Sequence, residues 1–384
     1  MKTSILNIGN EILDGKIRNT NAEFIMNELS TIGIAINKQM VVEDDELAIQ
    51  GALDYLNDMD LILTTGGLGT TDDDKTRRTI EGYLEKNKIE HKQVSMKNTQ
   101  GYFDGTYYKT KKGGIMIFPG PPREMNTMLR NNLNLLMDED VHSVRRTYRI
   151  AFLNEWDTHR ILREAGVTTD IVNTFVDADG SVYLKLYLDD TDQNRLDSRL
   201  NEVDKKINKA LYPLIYANDE SSREKSLIRE LIEKNYSLSC AESYTGGKII
   251  SSLIEIPDAS RVIDDAFVVY NDKAKSKLLG VDQDFIDKYG VVSEEVCNVM
   301  LDGLFKQSGS DVCIATTGYA GPSGDVGHVY FGIRFEGVNY VFKRYMKYSR
   351  RWIMNKSKNL AIDYTHLIIN GLLDAGNDFL KANM

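Results

Sequence analysis

The chain has 384 residues, 42% hydrophobic and 27% charged, the proportions of a folded globular protein with room for two or three cores. Its net charge of −10 argues against a general affinity for nucleic acid or an anionic membrane, although a phosphate ligand needs only one local basic pocket. The three cysteines (Cys240, Cys297, Cys313) form no CxxC pair and the five histidines no ligand-spaced pair. A disulfide frame, a zinc site and histidine-base chemistry therefore all start at a disadvantage.

Residues 1–10 are too short and interrupted for a signal peptide and read as a first strand, and no apolar run reaches membrane-span length. A cytoplasmic protein is expected. In chain order, strands are predicted at 4–8, 60–65 and 114–118, with helices at 21–32, 47–57, 76–86 and 122–136. That alternation is the pattern of an α/β layer fold. From about 144 the character changes: strands at 146–153 and 181–189 and a charged amphipathic helix at 192–211 suggest a small α+β module. Residues 218–222 (Asn-Asp-Glu-Ser-Ser) carry no apolar side chain and read as a linker. A further α/β unit follows, with strands near 236–240, 266–270, 311–316, 329–335 and 340–346. Its helices include 294–307 and a closing one at about 351–375. The expected domains are thus 1–143, 144–217 and 218–384.

Three turns of the first domain look chemical. Residues 60–74 run from a strand through Gly66, Gly67 and Gly69 into Asp72, Asp73 and Asp74. The glycines let backbone approach a pyrophosphate, and adjacent carboxylates suit a hard divalent ion, although one carboxylate at a helix start also serves as a cap. Residues 9–15, with Glu11, and 118–125 follow two other strands. In an open α/β sheet all three turns would gather outside the carboxyl ends of the strands, where ligands bind.

In the last domain, residues 238–247 set Ser243 between an apolar strand and a helix opened by Gly246 and Gly247. The glycine N–H groups there would be able to hold an anion, with Ser243 as a candidate nucleophile. On geometry alone such a turn is more often a helix cap and tight packing than a catalytic site. Thr316, Thr317 and Gly318 end another strand and open a glycine turn, or form an ordinary strand-to-loop junction.

Together these motifs resemble the competence/damage-inducible protein A (CinA) family. Gly-x-Glu-x-Leu-x-Gly, Thr-Gly-Gly-Leu-Gly-x-Thr-x-Asp-Asp and Pro-Gly-x-Pro-x-Glu-Met are similar to its molybdopterin-binding-like domain. Ala-Glu-Ser-x-Thr-Gly-Gly, residues 270–275, 290–295 and 317–322 are similar to its nicotinamide mononucleotide (NMN) deamidase domain. The resemblance implies a molybdopterin-binding-like three-layer domain, a small α+β domain and a C-terminal α/β deamidase domain, in a homodimer. It implies hydrolysis of NMN to nicotinate mononucleotide and ammonia, with no cofactor. Ser243, Tyr270 and Lys275 would be catalytic, with Lys275, or Tyr270 relaying to it, taking the serine proton. Thr245, Gly246, Gly247, Thr316, Thr317, Gly318 and Arg350 would bind substrate, although Arg351 competes with Arg350 because Tyr348-Ser349 replaces the family's Gly-Asp. Glu242 is given no role beyond capping or orienting its loop.

For the first domain the resemblance implies an ADP-ribose pyrophosphatase. It would use Glu11, Gly66, Gly67 and Gly69, with magnesium, manganese, cobalt or nickel on Asp73 and Asp74. Residues 94–113 are short and lack the asparagine and Gly-x-Ala-Pro-Gly segment usual in that cleft. Two other readings compete: a non-catalytic pterin or dinucleotide-binding module, and a partner protein in competence or DNA repair. The acidic charge and the lack of a basic aromatic stripe speak against direct nucleic-acid contact.

Overall fold

The structure, a computed structural model, describes residues 1–67, 75–137, 142–177, 179–322 and 324–383. Contacts gather the chain into two compact units, Met1–Arg145 with Tyr187–Asp197, and Arg146–Leu186 with Ser198–Met384.

The first unit is built on a sheet in the order β2-β1-β3-β6-β5-β4. Its strands are β1 (Thr3–Ile8), β2 (Ile36–Val42), β3 (Leu61–Thr65), β4 (Lys92–Met96), β5 (Gly105–Lys109) and β6 (Gly114–Phe118). The first four in that order run parallel, and β5 and β4 return antiparallel. The central strands are buried on both faces and alternate with a period of two. Ile5, Leu61, Leu63, Met116 and Phe118 meet helices Thr20–Thr31 and Pro122–Asn132. On the other face, Leu6, Ile8, Ile62, Ile115 and Ile117 meet helices Glu46–Tyr55 and Lys75–Lys86. The result is a three-layer α/β domain, as expected. β2, β4 and β5 were not anticipated. The exposed and intermediate positions of β2 alternate like a half-covered edge strand, so no apolar run announces it.

A second sheet has the order β10-β7-β9-β8, from β7 (His142–Ile150), β8 (Val172–Val176), β9 (Val182–Asp190) and β10 (Ile215–Ala217). β9 alternates cleanly, burying Val182, Leu184, Leu186 and Leu188. The presumed linker at 218–222 is tied down. Ser221 is buried, and Glu220 engages Thr147, Arg149 and Lys185. Asp219 accepts from Arg229 at 3.0 Å.

The third sheet, β12-β11-β13-β14-β15, consists of β11 (Leu238–Glu242), β12 (Ile263–Val268), β13 (Val312–Gly318), β14 (His328–Phe335) and β15 (Val338–Tyr345). β12, β11 and β13 are parallel, and β14 and β15 antiparallel. Leu238, Cys240, Val312 and Ile314 face helices Arg223–Lys234, Lys248–Ile254 and Arg350–Ile369. Ala241, Cys313 and Ala315 face helices Asp272–Leu279 and Glu294–Ser308. The closing helix ends at Ile369, earlier than expected. Asn370 caps it, Gly371 turns at φ 66°, and Leu373–Asn383 forms a separate helix. Among the described residues no helix is long and apolar enough to cross a membrane.

One charge pair lies deep in this second unit. Arg223 and Asp363, 6% and 4% exposed, are bonded to each other, and Arg223 also donates to Ser181. Asp363→Ala leaves a buried guanidinium without its carboxylate and is expected to cost about 3–5 kcal/mol of stability. The double change Arg223→Met with Asp363→Leu is expected to cost less than the single one. Urea unfolding of the variants checks this, and a single variant as stable as the parent would refute it.

Candidate functional site

Each parallel sheet has a point at which successive crossovers leave in opposite directions, and a crevice opens there at the carboxyl ends of the strands. In the C-terminal sheet that point lies between β11 and β13. β11 ends two residues later than the sequence suggested, so Ser243 follows it directly.

Glu242, fully buried, turns its carboxylate onto the start of the next helix. It accepts from the N–H of Gly247 (3.1 Å), Ile249 (3.1 Å) and Ile250 (2.9 Å). These are groups that the first turn of a helix leaves without partners. Gly246 and Gly247 have φ of 64° and 89°, which only glycine adopts without strain. Their N–H groups are not available to an anion, contrary to the sequence reading. Gly246 donates to Ser243 O at 3.1 Å and Gly247 to Glu242. Within the described residues the Tyr244 and Thr245 N–H groups make no hydrogen bond.

Thr316 locks the serine loop to β13. The Ser243 N–H donates to Thr316 O at 3.1 Å, and the Thr245 and Thr316 hydroxyls lie 2.8 Å apart. The Thr317 hydroxyl donates to Val291 O at 2.6 Å, fastening the neighbouring loop. A Cβ on Gly318 would fall 2.7 Å from Val329 Cγ1 and 3.0 Å from Tyr244, so the turn admits only glycine.

Lys275 is brought in by helix Asp272–Leu279, whose first turn is capped by Asn271 accepting from Ala274 N at 2.8 Å. The side chain is 1% exposed. Its amine donates to Ser243 Oγ (3.3 Å) and Val269 O (3.1 Å), with Asp272 Oδ1 at 3.9 Å. Burial pulls its pKa below the usual lysine value, and Asp272 opposes that shift. Tyr270 does not join this pair. It is exposed, and its hydroxyl accepts from Arg350 Nη2 at 3.2 Å. Arg350 also donates to Gly321 O, which makes it, of the two candidate arginines, the one the structure ties to the site. The cysteines offer no rival nucleophile: all three are buried, and burial pushes the Cys313 thiol up to about 11.

Glu242 caps the helix start and orients its loop, as expected. One feature was missed in the sequence. Asp272, three residues before Lys275 on one helix face, was passed over although that spacing brings side chains together.

In the N-terminal unit the three expected turns do gather. Gly66 N donates to Phe118 O at 3.2 Å, and a Cβ on Gly66 would lie 2.0 Å from Ile8 O. Gly67 packs against Thr76, and Asn21 donates to Gly120 O at 2.8 Å. Glu11 is exposed at the first turn after β1, its carboxylate close to Gly9. Gly69, Asp73 and Asp74 lie outside the described residues, and among those described no group of three or more His, Cys, Asp or Glu is placed to hold a metal. The segment expected to lack an asparagine has one: Asn98, 8% exposed, donates to Glu124 Oε2 at 2.7 Å and to Phe103 O at 3.1 Å.

Residues 220–369 match the family described as the "CinA C-terminal domain", and residues 4–138 the "Probable molybdopterin binding domain". The competence-damage inducible protein of Clostridium kluyveri is 33% identical over 407 residues, covering 95% of this chain and 98% of its own. That of Alkaliphilus oremlandii is 30% identical over 406 residues, with 95% and 97% covered. A solved CinA superfamily protein from Escherichia coli is 32% identical, covers 38% of this chain and 88% of its own, and has a TM-score of 0.37.

Glu242→Ala removes the acceptor of three backbone N–H groups next to Ser243. It is expected to cost about 1–3 kcal/mol of stability and to raise hydrogen exchange at Gly247, Ile249 and Ile250. Unchanged protection at those amides would show that Glu242 does not hold the loop.

Proposed function

This chain belongs to the CinA family of competence/damage-inducible proteins, and from that premise we propose that its C-terminal unit hydrolyses the carboxamide of NMN to nicotinate mononucleotide and ammonia. The observation that carries the reading is the buried Lys275 amine in hydrogen-bond contact with Ser243 Oγ. A lysine taken out of water is held nearer to its neutral form, which is the form a general base needs.

In the first step Ser243 Oγ bonds to the carboxamide carbon while its proton passes to Lys275 Nζ. The carbonyl electron pair moves onto oxygen, where the Tyr244 and Thr245 N–H groups supply donors. Collapse breaks the C–N bond, the lysine ammonium returns the proton to the leaving nitrogen, and ammonia departs. Water then attacks the acyl-serine and gives a proton to Lys275; the bond to Ser243 Oγ breaks, Lys275 passes that proton to the departing Oγ, and the carboxylic acid leaves the free serine and neutral lysine. Arg350, with Tyr270 at the rim, pairs with the nucleotide phosphate. The acid–base work is assigned to Lys275 alone, because Tyr270 is bonded to Arg350 and not to the serine.

Incubating the purified chain with NMN and following ammonia tests the proposal. Ser243→Ala is expected to lower turnover at least about a thousandfold with the melting temperature nearly unchanged. An alanine variant that retains most of its activity would sink the mechanism. The pH profile has a defined sign. A lysine base works as the free amine, so kcat/KM rises with pH through the depressed pKa of Lys275 and levels off before the ordinary lysine value of 10.5. A profile that is still climbing beyond that value would place the base elsewhere.

For the N-terminal unit we propose a nucleotide-diphosphate site where the turns after β1, β3 and β6 meet, with ADP-ribose as its ligand. The support is that convergence of turns at the switch point. Turnover of ADP-ribose is expected only when magnesium, manganese, cobalt or nickel is added, and Asp73→Asn or Asp74→Asn is expected to remove it while NMN deamidation persists. Binding of ADP-ribose without turnover under all four metals would make the unit a binding module.

A further inference from the structure

A neutral lysine amine has two N–H donors and one lone pair, whereas an ammonium has three donors and none. To accept the serine proton, Lys275 must spend both donors elsewhere and point its lone pair at Ser243. Val269 O, at 3.1 Å, takes one donor. Asp272, one helical turn earlier, sets Oδ1 3.9 Å from the amine, inside ion-pair range. We propose that Asp272 is the positioning residue of this site: it takes the second donor, so aiming the lone pair at Ser243 Oγ, and it balances the ammonium once the proton has crossed. The inference rests on the Ser243–Lys275 reading above and adds a third member, as an orienting group completes other nucleophile–base pairs.

A purely local role for Asp272 is already filled, since Asn271 caps this helix. Asp272 is half exposed, its side chain 43% accessible, so it has room to close on the amine as charge develops. Among the described residues no other carboxylate is within ion-pair range of Lys275. Glu242 is committed to the N–H groups of Gly247, Ile249 and Ile250. Tyr270 and Arg350 are bonded to each other. On the helices packed against that of Lys275, Asp284, Asp287, Glu294 and Glu295 are all at exposed positions.

The test uses the full chain and two readouts measured across pH: phosphonylation of Ser243 by a fluorophosphonate probe, with fluoride as leaving group, and ammonia release from NMN. Asp272→Asn is expected to lower the plateau rate of both about tenfold, with KM for NMN within about twofold. Because the ammonium loses its counter-charge, the acid limb is expected to move to lower pH. Asp272→Glu is expected to restore the limb and most of the rate. A variant that melts lower but keeps the parent's limb and plateau would reduce Asp272 to a structural residue and overturn the proposal. If the parent is phosphonylated at Ser243 by the probe but releases no ammonia from NMN, the substrate reading falls, and the probe's pH profile still decides on Asp272. If Ser243 fails to react with the probe at any pH, the serine–lysine pair and the role of Asp272 fall together.

Discussion

An amine taken out of water cannot easily keep its charge, and the C-terminal site is organised around that constraint. Lys275 is buried among backbone carbonyl, hydroxyl and one half-exposed carboxylate, so no full counter-charge is pressed against it. Burial therefore lowers its pKa, with Asp272 opposing, which shifts it toward the neutral amine that a general base needs. The remainder of the site fixes what the amine faces. Glu242 anchors the turn after β11, Thr316 clamps the serine loop to β13, and Asn271 starts the helix that carries the lysine. The Glu242 and Thr316 contacts each join two segments, which ties the serine loop to the sheet.

The same topological device occurs in both units. In the N-terminal sheet the switch lies between β1 and β3, and three glycine-containing turns meet at its carboxyl edge. In the C-terminal sheet it lies between β11 and β13, and the meeting segments bring a hydroxyl, an amine and a guanidinium. The second crevice holds the Ser243 hydroxyl beside the Lys275 amine. At the serine turn the glycines give the backbone its left-handed conformation, and among the described residues the Tyr244 and Thr245 N–H groups have no hydrogen-bond partner.

Much of this was legible in the chain. The buried parallel strands declared themselves as apolar runs, and Ser243, Lys275 and Thr316 stood out through motif spacing. The less legible parts share a physical cause. β2 has few fully covered positions, so its residues carry no strong pattern. The role of the Gly247 N–H depended on a carboxylate from the preceding strand, Glu242, whose contacts reach across five to eight residues. Tyr270 matched a catalytic position in the family pattern, but it is exposed and bonded to Arg350, a partner 80 positions away that spacing does not reveal. Asn98 was overlooked because its value comes from Glu124, a partner 26 positions away.

Two buried cations of the second unit show how one fold separates stability from chemistry. Arg223 is bonded to a buried carboxylate, Asp363, and its pKa is driven further upward by that partner, so it remains charged under all ordinary conditions. Lys275 has comparable burial, but its nearest carboxylate is half in solvent and nearly an ångström beyond hydrogen-bond length, so desolvation prevails and its pKa falls. The difference lies in the completeness of pairing, not in depth. A fully paired cation is inert because its proton has nowhere better to go. A partly paired one can release and regain a proton, at the expense of some folding stability. On the proposed reading of Lys275 as the base, a tighter ion pair there would stabilise the fold and silence it.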